Sequence, residues 1–333
     1  MTDCLWLTVI GPHLLSALAS HGRWTKVIAL VRPPIERDPA IGLGLPLEFE
    51  FEILSADFSQ PGLGLSDADR RMITSTVFDC VVHSAAYVDH VRTYQQMKAA
   101  NVASCDELVE LVAHSRLRFV FVSSVSAACR GAAESIDSTP ESEVTALGKF
   151  TSNLSLLVIH GYVPDRLVVF AGGGYGQSKW VAERRLAAAC THGLLRSLCV
   201  VRLGLIGPHS QTAEANVTDW IQLFLKAAIA VQAIPTMSAD SDIEMLPVDA
   251  TAQVLTALAV NDAVGTGIEV VHLDARAANM HPCPLLPLFS AVGGDTWPRL
   301  PYSEWHARVR AHGGVSAQPL SFLIIACDVR LPF

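Results

Sequence analysis

The order of segments predicts an α/β fold, a doubly wound parallel sheet followed by a smaller C-terminal lobe. Three observations carry that prediction. Short β-branched runs alternate with segments of helical apolar spacing as far as Val201. The 333-residue length suits one such unit with an appended lobe. Beyond Ile206 the alternation loosens, and prolines gather at Pro208, Pro235, Pro247, Pro282, Pro284 and Pro287. The sheet domain is therefore expected over 1–205 and the substrate-side lobe over 206–333, with a tail from about residue 279 that departs from the pattern.

The expected strands, in order, are Leu5–Val9, Lys26–Val31, Phe49–Leu54, Phe78–Val82, Phe119–Val122 and Ser197–Val201. Between them, apolar residues recur at helical spacing: Leu14, Leu15 and Leu18, then Leu108, Leu111 and Val112, then Val181, Leu186 and Ala189. Right-handed crossovers would place the C-terminal strand ends on one edge, where open α/β sheets bind ligands. Residues 148–170, apolar from Leu154 to Phe170, read as inserted material.

Half of the residues are hydrophobic and 17% are charged, a globular composition. Net charge is −8 with no long basic run, which argues against a nucleic-acid partner. The eight cysteines show no C-x-x-C spacing, so neither a metal site nor a disulfide framework is indicated, and a reducing, cytoplasmic setting is expected. No secretory leader is recognisable, and the greasiest stretches, Leu154–Phe170 and Leu320–Ala326, are too short or too interrupted to span a membrane.

The strongest chemical signal is Tyr175-Gly176-Gln177-Ser178-Lys179, followed by Trp180, Ala182 and Glu183 at the start of a helix. A tyrosine and a lysine four apart share a helix face, so the ammonium is expected to favour the ionised phenol. Paired with a hydroxyl from a strand end, such a phenol can move a proton to or from a substrate oxygen while a cofactor exchanges hydride. Phe119–Ser126 supplies that strand end; Ser124 is the first choice of hydroxyl and Ser126 the second. One strand earlier, His83-Ser84-Ala85-Ala86 offers small residues where a cofactor backbone would pass. Arg32 ends the second strand, where an arginine would meet a ribose 2′-phosphate and so favour NADPH over NADH. Each has a plainer reading: a helix surface pair, a serine serving local backbone, a packed histidine, a solvated arginine. The first turn is the weak point. Leu5–Val9 runs into Gly11 with only Ile10 between, whereas a pyrophosphate loop needs several residues and about three glycines.

Taken in order, these motifs resemble the thioester reductase domain family of extended short-chain dehydrogenases. The resemblance rests on Ile10-Gly11-x-x-Leu14-Leu15, Leu30-Val31-Arg32, Ala56-Asp57, Leu63-Gly64-Leu65-Ser66, His83-Ser84-Ala85-Ala86-x-Val88 and Asn101-Val102 in the first part of the chain. It continues through Val122-Ser123-Ser124, Tyr175 to Trp180, Arg202-Leu203-Gly204, Asn216-x-x-Asp219-Trp220 and Pro247-Val248-Asp249. Such domains end nonribosomal peptide synthetases, carboxylic acid reductases and aminoadipate reductases. The resemblance implies a Rossmann-like fold and NADPH-dependent reduction of an acyl thioester on a carrier protein's phosphopantetheine arm, giving aldehyde or alcohol.

Carried over by residue, it implies Ser124 as hydroxyl donor, Tyr175 as proton donor, and Lys179 as its activator and ribose ligand. Arg32 would meet the 2′-phosphate, Asp57 the adenine edge, Ala85 and Ala86 the pyrophosphate region, and Asn101 the strand end or a relay water. His83 and Ile206 complete the cofactor set, with Thr8 and Gly11 as the remnant of the family's glycine loop. The truncated loop keeps a catalytically impaired Rossmann protein in view. A nucleotide-sugar or steroid-type dehydrogenase/epimerase would use the same serine, tyrosine and lysine.

Overall fold

A computed structural model describes residues 10–24, 26–33, 49–89, 92–127, 174–217, 219–236, 242–261, 266–273 and 283–312. The expected strand Leu5–Val9 with Thr8, the segment 148–170, and residues 279–282 and 313–333 of the tail lie outside them. In chain order the elements begin α1 (Gly11–His21), β1 (Lys26–Val31), β2 (Glu50–Ser55), α2 (Asp67–Ser75), β3 (Cys80–His83), α3 (Tyr94–Lys98), α4 (Ser104–Val112) and β4 (Arg118–Ser124). They continue as α5 (Gly174–Thr191), β5 (Ser197–Leu203), β6 (Leu205–Gly207), α6 (Trp220–Val231), β7 (Ile234–Pro235), β8 (Asp242–Ile243), β9 (Met245–Pro247) and α7 (Val248–Val260). Last come β10 (Gly267–Leu273), β11 (Cys283–Pro284), α8 (Leu285–Ala291), β12 (Arg299–Leu300) and α9 (Tyr302–His312).

The fold is the expected α/β one. Strands β10, β5, β4 and β3 form a parallel sheet in that order, and β1 pairs in parallel with β2. Each strand expected among the described residues is present, shifted by no more than two residues at either end. Side-chain alternation explains why both sheet faces are covered. Phe119 and Phe121 of β4 and Leu198 and Val200 of β5 face α4 and α5, joining Leu108, Leu111, Ala182 and Leu186. Val120, Val122, Cys199 and Val201 face the other way, against α1 and α7 through Leu14, Leu18, Ala252 and Leu255. Each apolar strand is thus buried on both sides, as in a three-layer doubly wound fold.

Strand β10 was not among the expected strands. Its polar Glu269 and His272 interrupt the β-branched run, yet it pairs along its whole length with β5. Glu269 is buried because Arg118 meets it at 3.2 Å while also donating to Leu258 O at 2.8 Å. With α7 it returns from beyond residue 206 to complete the sheet layer, so the chain crosses the 205/206 division more than once. The remaining C-terminal elements α6, α8 and α9 enclose their own apolar cluster around Phe224, Phe289 and Trp305. The Trp305 indole N–H donates to Ala233 O at 2.9 Å, fixing α9 beside β7. Among the described residues, no helix is long and apolar enough to cross a membrane.

Candidate active site

Helix α5 starts where β4 ends, and two glycines make that approach possible. A Cβ on Gly176 would stand 2.9 Å from Ser126 O, and one on Gly174 would stand 2.4 Å from Arg92 O. Only hydrogen fits at either point, so the first turn of α5 lies directly on the Val125–Ala127 turn and on the start of α3. Tyr175 lies between the two glycines, in the turn of α5 that packs on Val125–Ala127. Ser124 Oγ accepts from Ser126 N at 3.2 Å and from Ser126 Oγ at 2.8 Å.

Lys179 lies one turn further along α5, nearly fully buried. Its ammonium donates to Val122 O at 2.8 Å and sits 4.7 Å from the centre of the Phe121 ring. Burial depresses its pKa to about 8, opposed by Cys105 and Glu183. The expected lowering of the Tyr175 phenol is absent. Burial pushes it upward instead, because loss of water penalises the phenolate, and the Lys179 ammonium is directed to the Val122 carbonyl. The phenol is therefore held in its protonated form, the form a proton donor needs.

The cofactor residues named from the sequence divide into two groups. Arg32, Ala85 and Ala86 line one cleft of about 370 Å³ with Leu30, Phe58, Tyr87 and Ala100. Asp57 stands at that cleft, 3.4 Å from the Arg32 guanidinium. Its carboxylate also accepts from Ser59 N and Ser59 Oγ, and these bonds hold its pKa below the ordinary value despite the opposing effect of burial. An arginine at the rim, apolar walls and small alanines suit the adenosine end of a phosphorylated dinucleotide.

The others stand behind or apart from the cleft. His83 is buried among Phe58, Phe119 and Phe121, with Phe58 stacked at 5.5 Å. Burial, then the charge of Lys179, depresses its pKa to about 3, so it is a neutral core histidine. Asn101, in a π-helical turn (Ala99–Ala103), donates to Tyr87 O and Ser178 Oγ, both at 2.9 Å, and accepts from Tyr87 N at 2.7 Å. It joins the cleft loop to α5, because Ser178 Oγ in turn donates to Tyr175 O at 2.8 Å. Ile206 packs against the cluster containing Ile10 and Leu14. Gly11 opens α1 and is followed by Pro12, which has no N–H, so this first turn offers few donors to a phosphate. Asp219 caps α6 by accepting from Ile221 N at 3.0 Å, which explains that part of the 216–220 motif structurally.

Residues 9–255 match the model of an NAD-binding family described as male sterility protein. The chain belongs to this family. It is 29% identical over 226 residues to the L-2-aminoadipate reductase large subunit of Candida glabrata, a match covering 68% of this chain and 15% of that protein. It is 28% identical over 319 residues to the isonitrile lipopeptide synthase of Streptomyces coeruleorubidus, covering 92% of this chain and 19% of that one. The chain thus spans less than a fifth of these curated relatives. Among solved structures, the terminal R domain of the myxalamid PKS-NRPS pathway superposes with a TM-score of 0.68 at 22% identity, over 95% of this chain and 76% of that chain. The family match makes this an NAD-binding chain, similar in sequence to part of an aminoadipate reductase and of a lipopeptide synthase and in fold to a terminal R domain.

The sequence reading missed the partners that hold the site. Ser178, Ser123, Arg202 and His272 were not singled out as site residues, and Glu183 was noted only as a neighbour. Its spacing of four from Lys179 was the available signal.

Proposed function

We propose that this chain reduces acyl thioesters carried on a phosphopantetheine arm, using NADPH and releasing an aldehyde or, after a second round, an alcohol. The observation that carries the reading is the close contact of Gly176 with Ser126, which packs the helix turn bearing Tyr175 on the strand end bearing the Ser124–Ser126 hydroxyl pair. The relatives named above, an aminoadipate reductase and a lipopeptide synthase, support the substrate class. The Arg32 rim supports the 2′-phosphorylated cofactor.

With its adenosine end held in the cleft at Arg32, the cofactor would supply hydride to the thioester carbonyl carbon. Ser124 Oγ, which accepts from Ser126 N, would donate to the carbonyl oxygen. Tyr175 would deliver the proton as negative charge develops on that oxygen, and the Lys179 ammonium, held on the Val122 carbonyl, would keep helix α5 against the strand end. Expulsion of the pantetheine thiol from the resulting hemithioacetal yields the aldehyde.

The test is NADPH consumption by the purified chain with an acyl-pantetheine thioester, with aldehyde trapped as a hydrazone and a nucleotide sugar run in parallel. Aldehyde from the thioester alone is the expected result. Turnover of the sugar without the thioester would overturn the reading, and absence of NADPH binding would favour the impaired protein.

A further inference from the structure

Ser123, Arg202 and His272 are direct neighbours across β4, β5 and β10, Ser123 paired with Arg202 and Arg202 with His272. In-register residues of adjacent strands project to one face, here the face covered by α5. From that helix Glu183 meets the row. Its Oε1 accepts from Ser123 Oγ at 2.5 Å and from Arg202 Nε at 3.0 Å, and its Oε2 accepts from Arg202 Nη2 at 2.7 Å. Arg202 also donates to His272 Nε2 at 3.3 Å. Glu183 is 5% exposed, so this fork-shaped ion pair lies out of water.

We propose that Glu183, acting through Ser123, is the positioning residue of this active site, fixing the strand end that carries Ser124 against the helix that carries Tyr175 and Lys179. The proposal rests on the reading of those three as the reacting groups. Its geometry is that of a two-point clamp. Lys179 holds the Val122 carbonyl, and Glu183, one turn later on α5, holds the adjoining Ser123 hydroxyl. Glycine contacts and core packing hold the helix at large, and the clamp fixes its register on the strand end. Two contacts to consecutive strand residues set both the distance and the rotation of α5, and with them the position of Tyr175 one turn earlier on the same face. The row across the sheet anchors Glu183 in turn, because an arginine fork held by a neighbouring strand leaves the carboxylate a single orientation.

Ser123→Ala removes one hydroxyl and leaves the Glu183–Arg202 pair intact, so it avoids the unpaired buried charge that substitution of either ionic partner would create. It should lower kcat for the thioester about tenfold while both KM values stay within twofold of wild type, since positioning errors act on the transition state. Ser123→Thr, which keeps the hydroxyl, should restore the rate.

A second readout needs no turnover: titration of the Lys179 amine by NMR of isotope-labelled lysine. The groups acting on that amine are His83 from β3, Cys105 from α4 and Glu183 from its own helix. Loss of the Ser123 donor leaves the Glu183 carboxylate less neutralised and loosens the packing. Both changes raise the Lys179 midpoint from about 8 toward its ordinary 10.5. An unchanged midpoint in Ser123→Ala, or a kcat within twofold of wild type, would overturn the proposal. A wild-type chain that turns over no thioester would refute the functional reading while leaving the titration to decide this one.

Discussion

Replacing Gly176 by alanine adds one methyl group at the point where helix and strand end come closest. That methyl would stand 2.9 Å from Ser126 O and 3.4 Å from Ser126 Cβ. Ordinary carbon contact begins near 3.5 Å, so the first turn of α5 must retreat by about 0.5 Å. The obstacle is backbone on both sides, and no side chain can rotate away. Overpacking of this kind costs about 1–3 kcal/mol, whereas alanine's helical preference returns about 0.5–1 kcal/mol. The net loss is about 1–2 kcal/mol, a fall of a few degrees in melting temperature for a domain of this size. The same retreat moves Tyr175 from Ser124. Since a misplacement of about 1 Å costs on the order of 100-fold in rate, half of it should lower kcat roughly tenfold. Calorimetry and steady-state reduction of an acyl-pantetheine thioester measure the two effects on one preparation. A Gly176→Ala protein that melts no lower than wild type and keeps its rate would refute the packing argument and the site built on it.

Tyr175→Phe should abolish reduction while leaving NADPH affinity nearly unchanged, measured by turnover and by fluorescence titration, and a retained rate above about a tenth would reassign the proton donor. Arg32→Ala should weaken NADPH far more than NADH, and equal weakening would mark Arg32 as structural. Because Lys179 titrates near 8 in the folded protein and at 10.5 when unfolded, the unfolded state holds the extra proton between those values. Stability against urea should therefore rise with pH across that window, while turnover that needs the ammonium falls as pH rises through about 8. His83 works at the other end: the unfolded state gains a proton below 6.5 that the folded state refuses down to about 3. Stability should fall on acidification through that range, and a His83→Phe variant should show a flatter urea-midpoint profile there.

How much of this was legible beforehand follows from the range of each interaction. β4 and β5 were readable because an apolar run buried on both faces declares itself locally, and β1 because its Val27–Val31 run is apolar and β-branched. β10 was not, because its Glu269 and His272 interrupt the apolar run and meet Arg118 and Arg202, far away in the chain. The pairing of Tyr175 with Lys179 was readable because helix periodicity makes residues four apart neighbours.

By itself, then, the sequence determined the order of the strands from β1 to β5, the tyrosine–lysine helix face and the hydroxyl-bearing strand end, all of which depend on local periodicity and residue type. Tertiary structure decided the protonation of Tyr175, Lys179 and His83, because desolvation depends on what packs around a group. It also decided that Asn101 serves the protein framework and that Ser123, Glu183, Arg202 and His272 form one row. Strand register brings those last residues together from positions spread across the chain, and no local pattern encodes the meeting.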